Sequence, residues 1–195
     1  MTAVAHWSVD PAAEAFDSGT FLLRATARIE RPLEEVFDFF AAAENLERIT
    51  PPRLRFRITT PSPVEMRVGA LIDYRLRLNG IPFGWRTEIT EWNPPARAAD
   101  VPTGSYPQRE AGDAPRMASF TDTQIRGPYH TWVHRHLFTA APVEPGGASG
   151  ATEMVDEVQY RLPLWPLGAV VLPVVRRELK DIFSHRMRVL ADVFG

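Results

Sequence analysis

Two imidazoles, His134 and His136, stand two residues apart, with Asp122 in the segment before them and Asp156 in the segment after. These are the residues of the chain whose types and spacing could do chemistry. An imidazole titrates near neutral pH and can give or take a proton, and a carboxylate beside it fixes its orientation, so the set could serve as a general acid/base. It also has a structural reading, in which buried His and Asp side chains satisfy one another inside a wide sheet. A third reading is metal binding. His-x-His on one strand face offers two imidazoles about 7 Å apart, which His130, Asp122 or Asp156 would have to complete. The spacing singles out no third ligand, so neither a metal nor another cofactor is expected.

These side chains need a sheet to hold them. The stretch from Ser119 to Phe138, SFTDTQIRGPYHTWVHRHLF, reads as a β-hairpin, with two β-branched and aromatic arms around the turn residues Gly127-Pro128-Tyr129. A loop of those three residues sets Gln124 opposite Trp132, Asp122 opposite His134 and Phe120 opposite His136. Alternation then puts all six on one face with Phe138. In the segment Thr152 to Leu162, Met154, Asp156, Val158 and Tyr160 share a face, and Asp156 is expected beside His136.

The rest of the chain supplies the frame. Residues 1 to 19 are polar, Ala-rich and aperiodic, and are expected to form a leader, in part disordered. A strand from Thr20 to Glu30 leads into a helix opened by Pro32, with Val36, Phe37, Phe39 and Phe40 on its apolar face. A second short helix, Ala43 to Ile49, ends at Pro51-Pro52. Alternation then predicts strands from Arg53 to Ile58, from Ala70 to Leu78 and from Ile81 to Trp92, the last two joined at Asn79-Gly80. Trp85, Thr87 and Ile89 face inward, whereas Arg86 and Glu88 read as a solvated pair. Residues 96 to 116 carry Pro, Gly and charges without periodicity and read as a mobile surface insertion, with a functional lid as the alternative. From Leu167 to Phe194, apolar residues recur at three and four, which predicts a long helix that Pro173 kinks or starts. The run Leu164-Trp165-Pro166-Leu167 ahead of it reads as cavity rim or core, with contact to a membrane or a partner as the alternative.

The overall numbers narrow the function classes. A length of 195 residues suits a single domain, here residues 20 to 195. The 22 basic and 24 acidic residues nearly balance, so no nucleic-acid partner is expected. The absence of cysteine removes thiol catalysis and disulfides. The N-terminus does not read as a secretory signal, and the longest apolar run, Leu164 to Val175, is broken by Pro166 and Pro173. The expectation is a soluble cytoplasmic protein without stable membrane insertion, of unspecified oligomeric state. No nucleophile motif, phosphate loop or dinucleotide fingerprint stands in a suitable context.

The order strand, two short helices, six strands and a long helix resembles the α+β helix-grip fold of the START-like (SRPBCC) superfamily, a curved antiparallel sheet of about seven strands wrapped around a C-terminal helix. The segments Arg31-Pro32 to Phe37, Leu46 to Pro52, Gly69, Trp85-Arg86-Thr87, Trp92, Pro94-Pro95, Phe120 to Gln124, Gly127-Pro128-Tyr129, Trp132-x-His134-x-His136-x-Phe138 and Asp156-x-Val158-x-Tyr160 look like the bacterial ligand-binding SRPBCC group, often labelled cyclase/dehydrase-like or coenzyme-Q-binding-like. The likeness covers about residues 20 to 194 and departs from the pattern at the long 96 to 116 insertion and at Pro173.

The resemblance implies a cavity between sheet and helix for a hydrophobic or amphipathic small molecule such as a lipid, quinone or polyketide. Tyr74, Trp85, Phe120, Gln124, Trp132, His134, Phe138 and Tyr160 are the expected ligand-binding residues, although each aromatic could equally be core packing. The expected role is non-catalytic binding or transport. The alternative is a polyketide cyclase/dehydratase-type enzyme with His134 or His136 as general acid/base, oriented by Asp122 or Asp156. A protein-interaction module ranks third, because arginines stud the predicted outer face at residues 53 to 57 and 73 to 77.

Overall fold

The computed structural model describes residues 4–17, 19–78, 80–96, 116–143, 150–164 and 167–195. The strands are β1 (Val4–Asp17), β2 (Thr20–Ile29), β3 (Arg57–Ile58), β4 (Leu71–Leu78), β5 (Ile81–Asn93), β6 (Met117–Arg126), β7 (Thr131–Ala141) and β8 (Ala151–Arg161). Helices α1 (Leu33–Ala41) and α2 (Asn45–Arg48) follow β2, and α3 (Leu172–Phe194) closes the chain. All eight strands form one antiparallel, curved sheet in the order β1-β2-β8-β7-β6-β5-β4-β3. The three strands with the His and Asp residues therefore lie in its middle.

Several sequence expectations are corrected. The segment read as a leader is strand β1, which pairs with β2 through most of its length, so the sheet has eight strands where about seven were expected. Its irregular register, with shifts between Asp10 and Glu14 and again near the β1–β2 turn, hides the two-residue period. The strand expected from Arg53 is a 3-10 turn, Pro52–Leu54, followed by Arg55 at φ 46°. Pro52 has no N–H to give to a ladder and suits the first helical position, so only Arg57 and Ile58 pair with β4. Arg86 does not face Glu88 as a pair: it makes two 2.8 Å bonds across to Asp73, its register partner on β4. The 96 to 116 insertion lies almost wholly outside the described residues, and at its two ends Arg116 Nη2 donates to the Ala96 carbonyl at 3.0 Å.

Helix α3 begins where Pro173 fits, in its first turn, so the proline marks the start and makes no kink. Leu179, Phe183, Met187, Leu190 and Phe194 form its buried stripe. Each such side chain contributes about 1.5–3 kcal/mol by leaving water. At one end of the core, Phe37 of α1 packs edge-on against Phe120 at 6.1 Å and Phe138 at 5.7 Å. Among the described residues, no helix is long and apolar enough to cross a membrane.

Candidate functional site

The cavity follows from what the sheet and α3 leave unfilled between them. It has a volume of about 150 Å³ and is walled by β4 and β5 (Ile72, Tyr74, Trp85, Ile89), by β6 and β7 (Phe120, Asp122, Trp132, His134, His136) and by α3 (Leu179, Phe183, Arg186). The α1–α2 side completes it with Phe40, Ala43 and Leu46, and half-buried Leu46, Met66 and Leu78 stand toward the surface. Tyr74, Trp85, Tyr129 and Trp132 form one aromatic wall, with Trp85 stacked on Tyr74 at 5.8 Å and edge-on to Trp132 at 5.2 Å. Burial pushes the phenols of Tyr74 and Tyr129 well above their ordinary range, so both are neutral at physiological pH.

The polar row adjoins the aromatic wall along β6 and β7, with His134 edge-on to Trp132 at 6.4 Å, and strand register builds it. Asp122 is paired with His134 between β6 and β7, and His136 with Asp156 between β7 and β8. Because both histidines point to one face of β7, each carboxylate reaches both rings. Asp122 Oδ2 is 3.5 Å from His134 Nδ1 and 3.5 Å from His136 Nε2. Asp156 Oδ1 is 2.7 Å from His136 Nδ1 and 3.4 Å from His134 Nε2. The rings converge to 3.8 Å between centroids, far closer than their backbone spacing suggests, and His136 also stacks on Phe120 at 4.1 Å. Neither approach to Asp156 is aligned with a ring N–H, so these are ion contacts more than directed hydrogen bonds.

Arg186 completes the cluster from α3, donating from Nη1 to Asp156 Oδ2 at 2.9 Å with its guanidinium over Phe183. Sequence reasoning missed it. Its signal was an arginine three residues after Phe183 and four before Leu190, inside the apolar stripe, where a charge needs a buried partner. Burial alone would raise the Asp156 carboxyl, but His136 and Arg186 outweigh it and hold the group well below the carboxylate range. Burial lowers both imidazoles. For His134 it prevails, helped by repulsion from His136, whereas the adjacent Asp156 and Asp122 reverse it for His136 and raise that group.

Of the residues expected to bind ligand, Tyr74, Trp85, Phe120, Trp132 and His134 line the cavity, as do Asp122 and His136. Gln124, Phe138 and Tyr160 do not. Gln124 belongs to the hairpin turn: its Nε2 donates to the Tyr129 carbonyl at 2.7 Å, and the β6–β7 ladder ends one pair earlier, at Thr123 and Val133. Phe138 is wholly buried beneath Phe37 and Phe40. Tyr160 packs on Phe21, and its hydroxyl donates to the Pro11 carbonyl at 3.4 Å. His130 is exposed and its backbone N–H bonds Arg161, so it takes no part in the cluster. Leu164 and Leu167, expected at a cavity rim or in the core, are exposed, and Trp165 and Pro166 lie outside the described residues.

Besides the two imidazole nitrogens that face Asp156, two further nitrogen atoms on the cavity wall make no hydrogen bond. Trp85 is 6% exposed with Nε1 unbonded, and Arg186 is 5% exposed with Nε unbonded. Both are donors, and a buried donor without an acceptor is costly.

No protein-family model matches the chain, and no curated protein matches it either. Solved structures do match. A START superfamily protein from Mycobacterium smegmatis is 12% identical, with 88% of this chain and 94% of that chain covered and a TM-score of 0.52. The protein TTHA0849 from Thermus thermophilus is 12% identical, with 89% and 96% covered and a TM-score of 0.54. At such identity the likeness is one of fold.

Proposed function

We propose that this chain, a START-like helix-grip fold, binds a small hydrophobic or amphipathic molecule, without turnover, in the cavity between the sheet and α3. The observation that carries the reading is the wall itself: aromatic and aliphatic over most of its area, with unbonded donors at Trp85 and Arg186. A cavity with a few convergent polar groups suits an apolar body with an acceptor head, such as a carboxylate, carbonyl or phenol. A volume of about 150 Å³ holds roughly one aromatic ring as it stands. A quinone or polyketide-sized ligand needs the rim at Leu46, Met66 and Leu78 to move outward.

Trp85 and Trp132 provide the readout. Aromatic acids and phenols titrated into the protein should quench tryptophan fluorescence saturably, and native mass spectrometry should show a one-to-one complex. The reading is abandoned if neither signal appears across aromatic, fatty-acid and quinone probes.

A second reading has its own support. His134 and His136 line the cavity with carboxylates beside them, which is the geometry a cyclase or dehydratase acid/base would need. Product formation lost in both His134→Gln and His136→Gln, with ligand binding retained, would favour it over simple binding.

A further inference from the structure

In a neutral imidazole one ring nitrogen carries hydrogen and the other presents a bare lone pair. Asp156 Oδ1 faces Nδ1 of His136 at 2.7 Å and Nε2 of His134 at 3.4 Å, so its negative charge favours hydrogen on these two nitrogens when the rings are neutral, without an aligned hydrogen bond to either. The remaining nitrogens, Nδ1 of His134 and Nε2 of His136, are then the bare ones. Both face Asp122 Oδ2, each at 3.5 Å. With both rings neutral in this form, three electron-pair donors face one another, with ligand atoms of all three residues within 4.8 Å of one another. A cation belongs between such groups.

We propose that Asp122, His134 and His136 bind one divalent first-row transition ion of the zinc type at the wall of the cavity. Two ligand atoms each about 2.1 Å from such an ion, at a tetrahedral angle, stand about 3.4 Å apart. Two of the three separations, 3.5 Å from Asp122 to each ring nitrogen, already match, and ligand atoms of the two histidines lie within 4.8 Å of each other. Two imidazoles and one carboxylate select zinc, cobalt or ferrous iron over calcium or magnesium, which take oxygen sets. The surroundings fit as well. Asp156 stands behind both rings, where a ligating histidine keeps its outer carboxylate, and Arg186 anchors the other oxygen of Asp156. Three protein ligands leave a position open, and because all three residues line the cavity, that position faces any bound molecule. The inference goes beyond the ligand-binding reading and is independent of it: a chain that binds aromatic probes but no Zn²⁺ keeps the first and loses the second.

The test uses full-length protein stripped with a chelator and titrated with Zn²⁺ by calorimetry and with Co²⁺ by visible absorption. One ion per chain is expected, with Co²⁺ giving the intense d–d bands of a low-symmetry four- or five-coordinate site. Asp122→Asn and His136→Gln should lose more than the roughly 10- to 100-fold in affinity that an outer-shell change such as Asp156→Asn costs. His130→Gln, outside the cluster, should change nothing. X-ray absorption at the zinc edge of the wild-type protein decides the matter if the buried variants do not fold. Two imidazoles and a carboxylate oxygen support the site, whereas a single imidazole, all-oxygen ligation or no stoichiometric ion overturns it.

Discussion

His136 Nδ1 lies 2.7 Å from Asp156 Oδ1, and this contact joins the central strand of the sheet to a carboxylate whose other oxygen is held by Arg186 of α3, at 2.9 Å. The helix is thus fastened to the sheet by a fully buried acid as well as by its apolar stripe. Removing one member of such a pair strands the opposite charge without solvent.

Asp156→Ala should therefore cost about 3–5 kcal/mol, because Arg186 is left buried and unpaired. Arg186→Met added to it should return most of that loss, since the stranded charge is gone and Met fills similar space beside Phe183. Urea unfolding of wild type, both single variants and the double variant measures the coupling. Additive losses would mean that Arg186 finds solvent when Asp156 is absent.

The metal-free protein, kept in chelator, should be most stable near the ordinary histidine pKa. His136 is raised in the fold, so its contribution is complete below about pH 6.5 and is lost as pH rises through its folded value. His134 is lowered, so its neutral form is favoured above about pH 6.5, and stability falls as pH drops from there toward its folded value. Asp156 is lowered as well. Its contribution holds above the ordinary carboxylate range and disappears in strong acid. Thermal unfolding from pH 4 to 9 should trace a maximum between these limbs, and His136→Gln should flatten the alkaline one.

Much of this arrangement was legible in the sequence, for a physical reason. Alternation has a period of two, and Gly127-Pro128-Tyr129 marks a turn, so the pairing of Asp122 with His134 and of Phe120 with His136 followed from counting, as did Asp156 beside His136. Arg186 was not found, since a helix-to-sheet contact leaves no periodic trace across 30 residues of chain. Strand β1 escaped because its register shifts break alternation. Phe138 and Tyr160 share the face of the cavity residues, yet α1 covers the first and Phe21 adjoins the second. The face of a strand can be read from alternation, but whether a position on it meets a helix or a void depends on tertiary packing.

Gln124 illustrates the difference. It sits on the predicted face but closes the turn, accepting the Tyr129 N–H at 3.4 Å and donating to its carbonyl at 2.7 Å. A Cβ on Gly127 would come within 2.2 Å of its Oε1. Gln124→Ala should thus cost about 1 kcal/mol in urea unfolding and leave the affinity for aromatic probes unchanged. Gly127→Ala should cost a similar amount by displacing the same amide.

Trp85 should behave in the opposite way. Its Nε1 is buried and makes no bond, so Trp85→Phe removes an unsatisfied donor while keeping a ring beside Tyr74 and Trp132. Loss of the donor offsets part of the lost packing, and unfolding free energy should change by less than about 1.5 kcal/mol. Affinity for probes with a carboxylate or carbonyl should fall about tenfold, near the worth of one hydrogen bond. Equal weakening of probes lacking an acceptor would show that the indole acts by shape alone.

Leu179 separates stability from binding most directly. It lies on α3 at the cavity wall, 2% exposed, in a helix whose neighbouring stripe residues are already packed. In a filled core, Leu→Phe would force strain of about 1–3 kcal/mol, but here the added ring atoms can enter a void of about 150 Å³. Filling void restores contacts that its lining lacks, so Leu179→Phe should unfold at the same or slightly higher urea concentration. The same atoms occupy the space proposed for the ligand. Binding of single-ring probes should weaken at least tenfold in a protein that is no less stable, a combination that a packed core at this position could not produce. A destabilised variant with undiminished probe affinity would place the bound molecule elsewhere.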